Sequence, residues 1–157
     1  MILSGQAIRR AKIISPFNER TKAHGMTYGV GPAGYDIRIN QDIILAPGES
    51  CLASSVEHFV MPDIVLGVVH DKSTWARLFL AVQNTVIEPG WIGYLTLELS
   101  NHGKTNIEIK QGMPIAQIIF HYTDAPVERP YNGKYQYQEN QPIPPRFDED
   151  LDESPSR

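Results

Sequence analysis

Three short segments hold the residue types best able to do chemistry. In Gly93-Tyr94-Leu95-Thr96-Leu97-Glu98-Leu99-Ser100, strict alternation sets Leu95, Leu97 and Leu99 on one strand face and Tyr94, Thr96 and Glu98 on the other. The leucines are a core face. Glu98 then either faces solvent or is a carboxylate held beside a hydroxyl and an aromatic ring. In Asp71-Lys72-Ser73-Thr74-Trp75-Ala76-Arg77-Leu78, Ser73 or Thr74 can cap a short helical turn whose first N–H groups are open to an anion. Ser73 and Arg77 stand four apart and share a face of that turn. A hydroxyl, an anion-binding backbone and a guanidinium suit a phosphate or an attacking water, although caps of this kind are also common in purely structural turns. The third segment, Pro130-Tyr131-Asn132-Gly133-Lys134-Tyr135-Gln136-Tyr137-Gln138, interleaves aromatics with one cation and amides. It fits closure over a nucleotide by stacking and phosphate contact, or an ordinary polar tail. Gly103-Lys104-Thr105 ends like a Walker A loop, but Glu98 occupies the place of its first glycine.

Other chemistries lack their residues. Zinc nucleobase deamination takes His-x-Glu with Pro-Cys-x-x-Cys, and the lone Cys51 cannot supply that ligand set. His24, His58, His70, His102 and His121 form no His-x-x-x-His pair and read as ordinary surface or partly buried residues. The net charge of −4 is too acidic for nucleic-acid binding by charge alone, and no apolar run approaches a membrane span. Asp148, Glu149, Asp150, Asp152 and Glu153 account for the imbalance, leaving 13 acids and 13 bases over residues 1–147. With 157 residues the chain suits one compact domain, and 41% hydrophobic residues can fill its core. The charges of the N-terminus follow a very short apolar stretch, the wrong order for a signal peptide, and one cysteine allows no disulfide framework. The expectation is a soluble cytoplasmic domain.

The elements that must position these residues are mostly short strands. A helix is expected over Gly5–Ala11 with Ser4 as its N-cap, then a mobile loop over 15–34, rich in Gly, Pro, Ser and Asn. Strands are expected at Tyr35–Ile39, Asp42–Leu45, Ser50–Val56, Ile64–His70, Tyr94–Leu99, Asn106–Ile109 and Ile115–His121. Turn signals such as Pro47-Gly48, Pro89-Gly90 and Asn101-His102-Gly103 separate many of them. Strands at this spacing, with few short helices, predict an all-β fold, a distorted barrel or jelly roll. The chain divides into a β domain over 1–126, a C-terminal arm over 127–146 and an acidic tail over 147–157 with too few apolar residues to order.

Five ordered motifs carry a resemblance over residues 30–146. They are Ala33-Gly34-Tyr35-Asp36-Ile37-Arg38, the Lys72–Leu78 segment, Ile87-Glu88-Pro89-Gly90-Trp91-Ile92-Gly93 running on into Glu98, Gly112-Met113-Pro114-Ile115-Ala116-Gln117, and Tyr131 through Gln138. Together they resemble the dCTP deaminases of the trimeric dUTPase superfamily. The resemblance implies the dUTPase-like type of β-fold, a homotrimer with active sites between subunits, and hydrolytic deamination of dCTP to dUTP and ammonia without zinc. It makes Glu98 the general acid/base, with Arg77 and Ser73 its partners beside the water. It assigns Lys72, Ser73, Thr74, Trp75, Ala76 and Arg77 to the turn that meets the triphosphate, and Glu88 to the deoxyribose. Thr96 and Leu97 belong to the strand that meets the base, and Gln117, Tyr131, Lys134 and Gln138 match positions that hold phosphates once the arm closes. Asp36 reads as a structural anchor. Magnesium would arrive with the triphosphate, held by phosphate oxygens and water. dTTP is a candidate inhibitor; nucleic acid and membrane are not expected partners.

Two alternatives share the fold. A dUTP diphosphatase, alone or combined with the deaminase, would attack phosphorus and could recruit Glu88. A non-catalytic nucleotide-binding regulator would keep the pocket and lose turnover.

Overall fold

The computed structural model describes residues 1–147. The acidic run over 148–157, most of the expected tail, lies outside the described residues. The alternation read in the third motif extends along the whole of β10 (Ile92–Asn101), whose residues are in turn half-buried and buried. Its antiparallel partner is β6 (Ser50–Val60), with Glu98 opposite Leu52. β1 (Ile14–Ser15) flanks β6 and β8 (Leu80–Val82) flanks β10, completing a four-stranded sheet. The β6–β10 register shifts between Tyr94 and Thr96. The shift leaves the Leu95 N–H without a ladder partner, and Ser55 Oγ accepts it at 2.9 Å.

A six-stranded sheet runs in the order β2 (Thr21–Ala23), β3 (Met26–Val30), β4 (Tyr35–Arg38), β12 (Pro114–Tyr122), β7 (Val65–Asp71), β9 (Val86–Ile87). A separate pair joins β5 (Ile43–Leu45) to β11 (Ile107–Ile109). Tyr35, Ile37, Ile118 and Phe120 of the larger sheet join Phe59, Leu97 and Leu99 of the smaller one in a single core cluster. Truncating such a residue, as in Leu97→Ala, costs about 2–5 kcal/mol. The fold is the expected all-β arrangement, with two short helices among the described residues, α1 (Gly5–Ala11) and α2 (Ser73–Ala76).

Two local expectations are corrected and one is refined. Residues 15–34 are not a plain loop: they hold β2 and β3, joined by a two-residue turn in which His24 (φ 50°) and Gly25 (φ 76°) both take positive φ. That turn has the twist a tight hairpin requires, and the Gly-rich composition supplies it. Ser4 holds the N-cap position of α1 but caps with its carbonyl, which accepts the Ala7 and Ile8 N–H groups, and not with its side chain. Similarly, Lys72 is the N-cap of α2, and neither Ser73 nor Thr74 caps it.

One buried ion pair ties the sheets together. Glu57 on β6 is fully buried and accepts both the N–H and the Nε–H of Arg38 on β4, each at 2.8 Å. Burial pushes the Glu57 carboxyl up, against the lowering effect of Arg38. The Arg38 guanidinium also lies 4.6 Å from the centre of the Tyr28 ring.

Candidate active site

The arm packs on the strand that bears Glu98. Tyr131 N–H donates to the Pro89 carbonyl at 2.8 Å, and Trp91 Nε1–H donates to the Tyr135 carbonyl at 2.7 Å. Further along, Tyr137 N–H donates to Ile92 O (2.8 Å) and Tyr94 N–H to Gln138 O (3.1 Å). Gln136 fastens the turn between them, accepting Ile92 N–H and donating to the carbonyls of Gly90 and Tyr131. Two glycines make room for this approach. A Cβ on Gly93 (φ 152°) would lie 2.7 Å from Gln138 N, and one on Gly90 (φ 85°) 2.5 Å from the Pro130 Cβ.

Between arm and strand lies a cavity of about 490 Å³. Glu98 and Thr96 form one wall, Glu88, Trp91 and Leu95 belong to another part of the lining, and Tyr131, Gln138 and Ile143 come from the arm. Glu98 is half-buried among largely apolar neighbours, and its Oε2 is cut off from solvent with no hydrogen-bond partner. Desolvation therefore raises its carboxyl above the usual range, offset only in part by its own backbone N–H. A carboxyl raised in this way is suited to taking and returning a proton.

Of the residues singled out from sequence, Glu88, Thr96, Glu98, Tyr131 and Gln138 line this cavity. Leu97 does not: its side chain is 1% exposed and belongs to the core, so only its backbone faces the strand's environment. Gln117 lies on β12 opposite Asp36 and His70, away from the cavity lining. Lys134 is exposed on the arm, with its ammonium 5.8 Å from the centre of the Tyr135 ring.

The α2 turn forms a second, separate group. Its inward anchors are Lys72, whose Nζ donates to Asp36 Oδ2 at 2.8 Å, and Trp75, whose indole N–H reaches Pro114 O at 2.7 Å. Asp71 Oδ1 holds the Val82 N–H at 2.7 Å beyond the turn. With both ends fixed, Ser73, Thr74, Ala76 and Arg77 face outward and exposed. None of them lines the Glu98 cavity, and among the described residues Glu98 has no ion-pair partner. Nor does any group of three or more His, Cys, Asp or Glu side chains among them stand ready to hold a metal ion. No helix there is long and apolar enough to cross a membrane.

The dCTP deaminase-like family matches residues 35–123, which include β4, the α2 turn, Glu88 and Glu98. Relatives named dCTP deaminase agree over nearly the whole length. The one from Campylobacter concisus is 34% identical over 85% of this chain and 89% of its own, and that from Pyrococcus horikoshii 30% over 87% and 92%. The chain belongs to the dCTP deaminase-like family. Its fold is also that of solved dUTPases: the native EIAV dUTPase superposes with a TM-score of 0.58 at 20% identity, over 78% of this chain and 97% of that one. A variant dUTPase of phage phi11 of S. aureus, described with a coordinated structural Mg(II) ion, gives 0.57 at 16% identity, over 73% and 90%.

Family membership leaves some of the site to the coordinates alone. Tyr135 of the third segment also lines the cavity, as do Leu52, Thr85, Ile143 and Pro145, none of which was singled out in the sequence. Ile143 could have been found by its hydrophobicity in a polar stretch, since it is the one aliphatic residue between Val127 and Phe147.

Proposed function

We propose that this protein hydrolyses dCTP to dUTP and ammonia. The observation that carries the reading is the Glu98 carboxylate, with one oxygen unpartnered at the wall of a nucleotide-sized cavity roofed by the arm. Water adds to C4 of the cytosine as Glu98 takes its proton. Glu98 passes that proton to N3, then takes the remaining proton from the new C4 hydroxyl and gives it to the departing amine. C4=O forms as the C4–N bond breaks, ammonia leaves, and the carboxylate is left as it began. Each transfer needs the carboxyl within hydrogen-bond reach and a pKa not far from the working pH, which favours the raised carboxyl. The arm excludes bulk water, which strengthens these contacts.

Arg77 and Ser73 are the proposed partners of Glu98. They are exposed on the α2 turn of the same chain and outside its cavity, which favours a site completed by another copy's turn, as in a homotrimer. There Arg77 would hold Glu98 ionised and Ser73 would orient the water, while Glu88 meets the sugar, and Tyr131, Gln138 and Lys134 belong to the arm that closes over the nucleotide. Thr74, Ala76 and the backbone of residues 72–77 would meet phosphate oxygens. Lys72 serves the same turn from inside, through Asp36. Any magnesium would be carried by phosphate oxygens and water, because the described residues offer no donor cluster of their own. Domain division into 1–126 and an arm over 127–146, inhibition by dTTP and action in the cytoplasm belong to the same proposal.

Glu88 lines the same cavity, which favours dUTP diphosphatase as the second reading. Incubation with dCTP and magnesium, assaying ammonia, pyrophosphate and nucleotide together, separates them. Ammonia and dUTP without pyrophosphate support the deaminase. Pyrophosphate from dUTP alone would replace it with the diphosphatase, both products would show a bifunctional enzyme, and no product would leave a binding protein.

A further inference from the structure

Thr96 is the centre of a short relay between β10 and the arm. Its Oγ1 accepts the Ile143 N–H at 3.1 Å and donates to Gln138 Oε1 at 3.2 Å. An amide oxygen only accepts, so the single hydroxyl hydrogen of Thr96 goes to Gln138 Oε1 while one of its lone pairs takes the Ile143 N–H. The backbone of Gln138 is held separately, its carbonyl accepting Tyr94 N–H and its position bridged to Gly93. Main chain and side chain are therefore both fixed. The amide stands with its oxygen toward Thr96, so its NH₂ is the end it can offer to a ligand in the cavity that Thr96, Gln138, Ile143 and Glu98 line together.

We infer that Thr96 is a positioning residue that sets base selection by pinning Gln138 as a donor. A fixed NH₂ can donate to the O2 of a cytosine, whose neighbouring N3 carries no hydrogen and stays open to Glu98, whereas the N3–H of a uracil would stand against it. An amide free to turn end for end would serve both edges, because turning exchanges donor for acceptor. The same relay ties base selection to arm closure, since the Ile143 N–H bond forms only with the arm in place. This inference rests on the reading of the cavity as a pyrimidine nucleotide site.

The test compares Thr96→Val, which keeps the shape and loses the hydroxyl, with Thr96→Ser, which keeps the hydroxyl; Thr96→Ala serves as a second loss variant. On the full chain, KM for dCTP and the inhibition constant for dUTP are measured for each. Loss of the relay should narrow the preference for dCTP over dUTP by about fivefold in the Val and Ala variants, the scale of one net hydrogen bond, with Ser near wild type. An unchanged ratio, or equal weakening of both nucleotides, overturns the inference and leaves Thr96 a mere fastener of the arm. A wild-type protein that neither binds nor deaminates dCTP overturns the reading of the cavity and this inference with it, and is recognised before any variant is made.

Discussion

Lys72 and Asp36 form an ion pair of 2.8 Å with both side chains about nine-tenths buried. The cation at the head of the α2 turn is thus directed into the protein, toward β4, while the turn presents Ser73 and Arg77 to the outside. Asp36 Oδ1 has no hydrogen-bond partner and no contact with solvent, so Lys72 is the main compensation for that buried carboxylate.

Lys72→Met should therefore cost stability in the absence of any nucleotide. Leaving one member of a buried pair alone costs about 3–5 kcal/mol. Thermal or urea unfolding of the ligand-free protein checks this. An unchanged Tm, with only nucleotide affinity reduced, would return Lys72 to a direct phosphate contact.

Glu98→Gln should abolish deamination while nucleotide binding stays nearly intact. The amide matches the carboxylate in shape and leaves the Leu95, Leu97 and Leu99 packing alone, but it cannot take a proton from water. General acid–base catalysis of one step is worth roughly 10²–10⁴-fold, and Glu98 would serve several steps in turn. Glu88→Gln is the matched control and should raise KM more than it lowers kcat. The opposite pattern, with Glu98→Gln active and Glu88→Gln dead on dUTP, would make the chain a diphosphatase.

The pH dependence follows from the direction of the Glu98 shift. Burial raises its carboxyl, and the base form is the ionised one, so kcat/KM should fall as pH drops through that raised value. With burial outweighing the Arg77 that would face Glu98 in the assembled site, the acid limb should lie above about 4.3, where an ordinary glutamate titrates; a limb at or below it would make Arg77 the stronger influence. Stability has the opposite sign. The folded state holds the proton more tightly than the unfolded state, so ionised Glu98 opposes folding at neutral pH and that opposition fades on acidification. Glu98→Gln should melt slightly higher than wild type at pH 7, with the gap closing in acid.

Mixing two dead proteins tests the shared site. Glu98→Gln and Arg77→Ala subunits, unfolded together and refolded, should regain activity, because some interfaces join an intact Glu98 to an intact Arg77. Random assembly of equal amounts restores about a quarter of the interfaces. No recovery would mean that both groups act within one chain.

The sequence makes much of the strand framework legible because half-buried strands alternate. Leu95, Leu97 and Leu99 mark β10 unambiguously, and Glu98 falls on its other face as a consequence. Residues 21–30 were hidden because a hairpin made with a His-Gly turn has the composition of a loop until pairing of Thr21 with Tyr28 is known. Of the candidate site, Glu98 was legible because a carboxylate on the face opposite an alternating leucine row stands out, whereas Arg77 lies outside the cavity of its own chain. A lysine beside hydroxyls looks in the sequence like a phosphate ligand, and only the fold brings Asp36, 36 positions earlier, to the Lys72 ammonium. Leu52 comes to the cavity through strand pairing with β10, opposite Glu98, which no local pattern encodes.

The arm's grip on β10 has a consequence for mutational tolerance. The arm's bonds at Tyr131 and Tyr137 run through backbone N–H groups, so an exposed side chain such as that of Tyr137, which lines no part of the cavity, could change without breaking them. The demand falls instead on the surface they land on, where Gly90 and Gly93 must lack a single carbon. In a saturation scan scored for activity, a position such as Tyr137, 69% exposed, should accept a wide range of residues, whereas Gly93 should accept none, alanine included. The stringency of this region lies in an atom that must be missing.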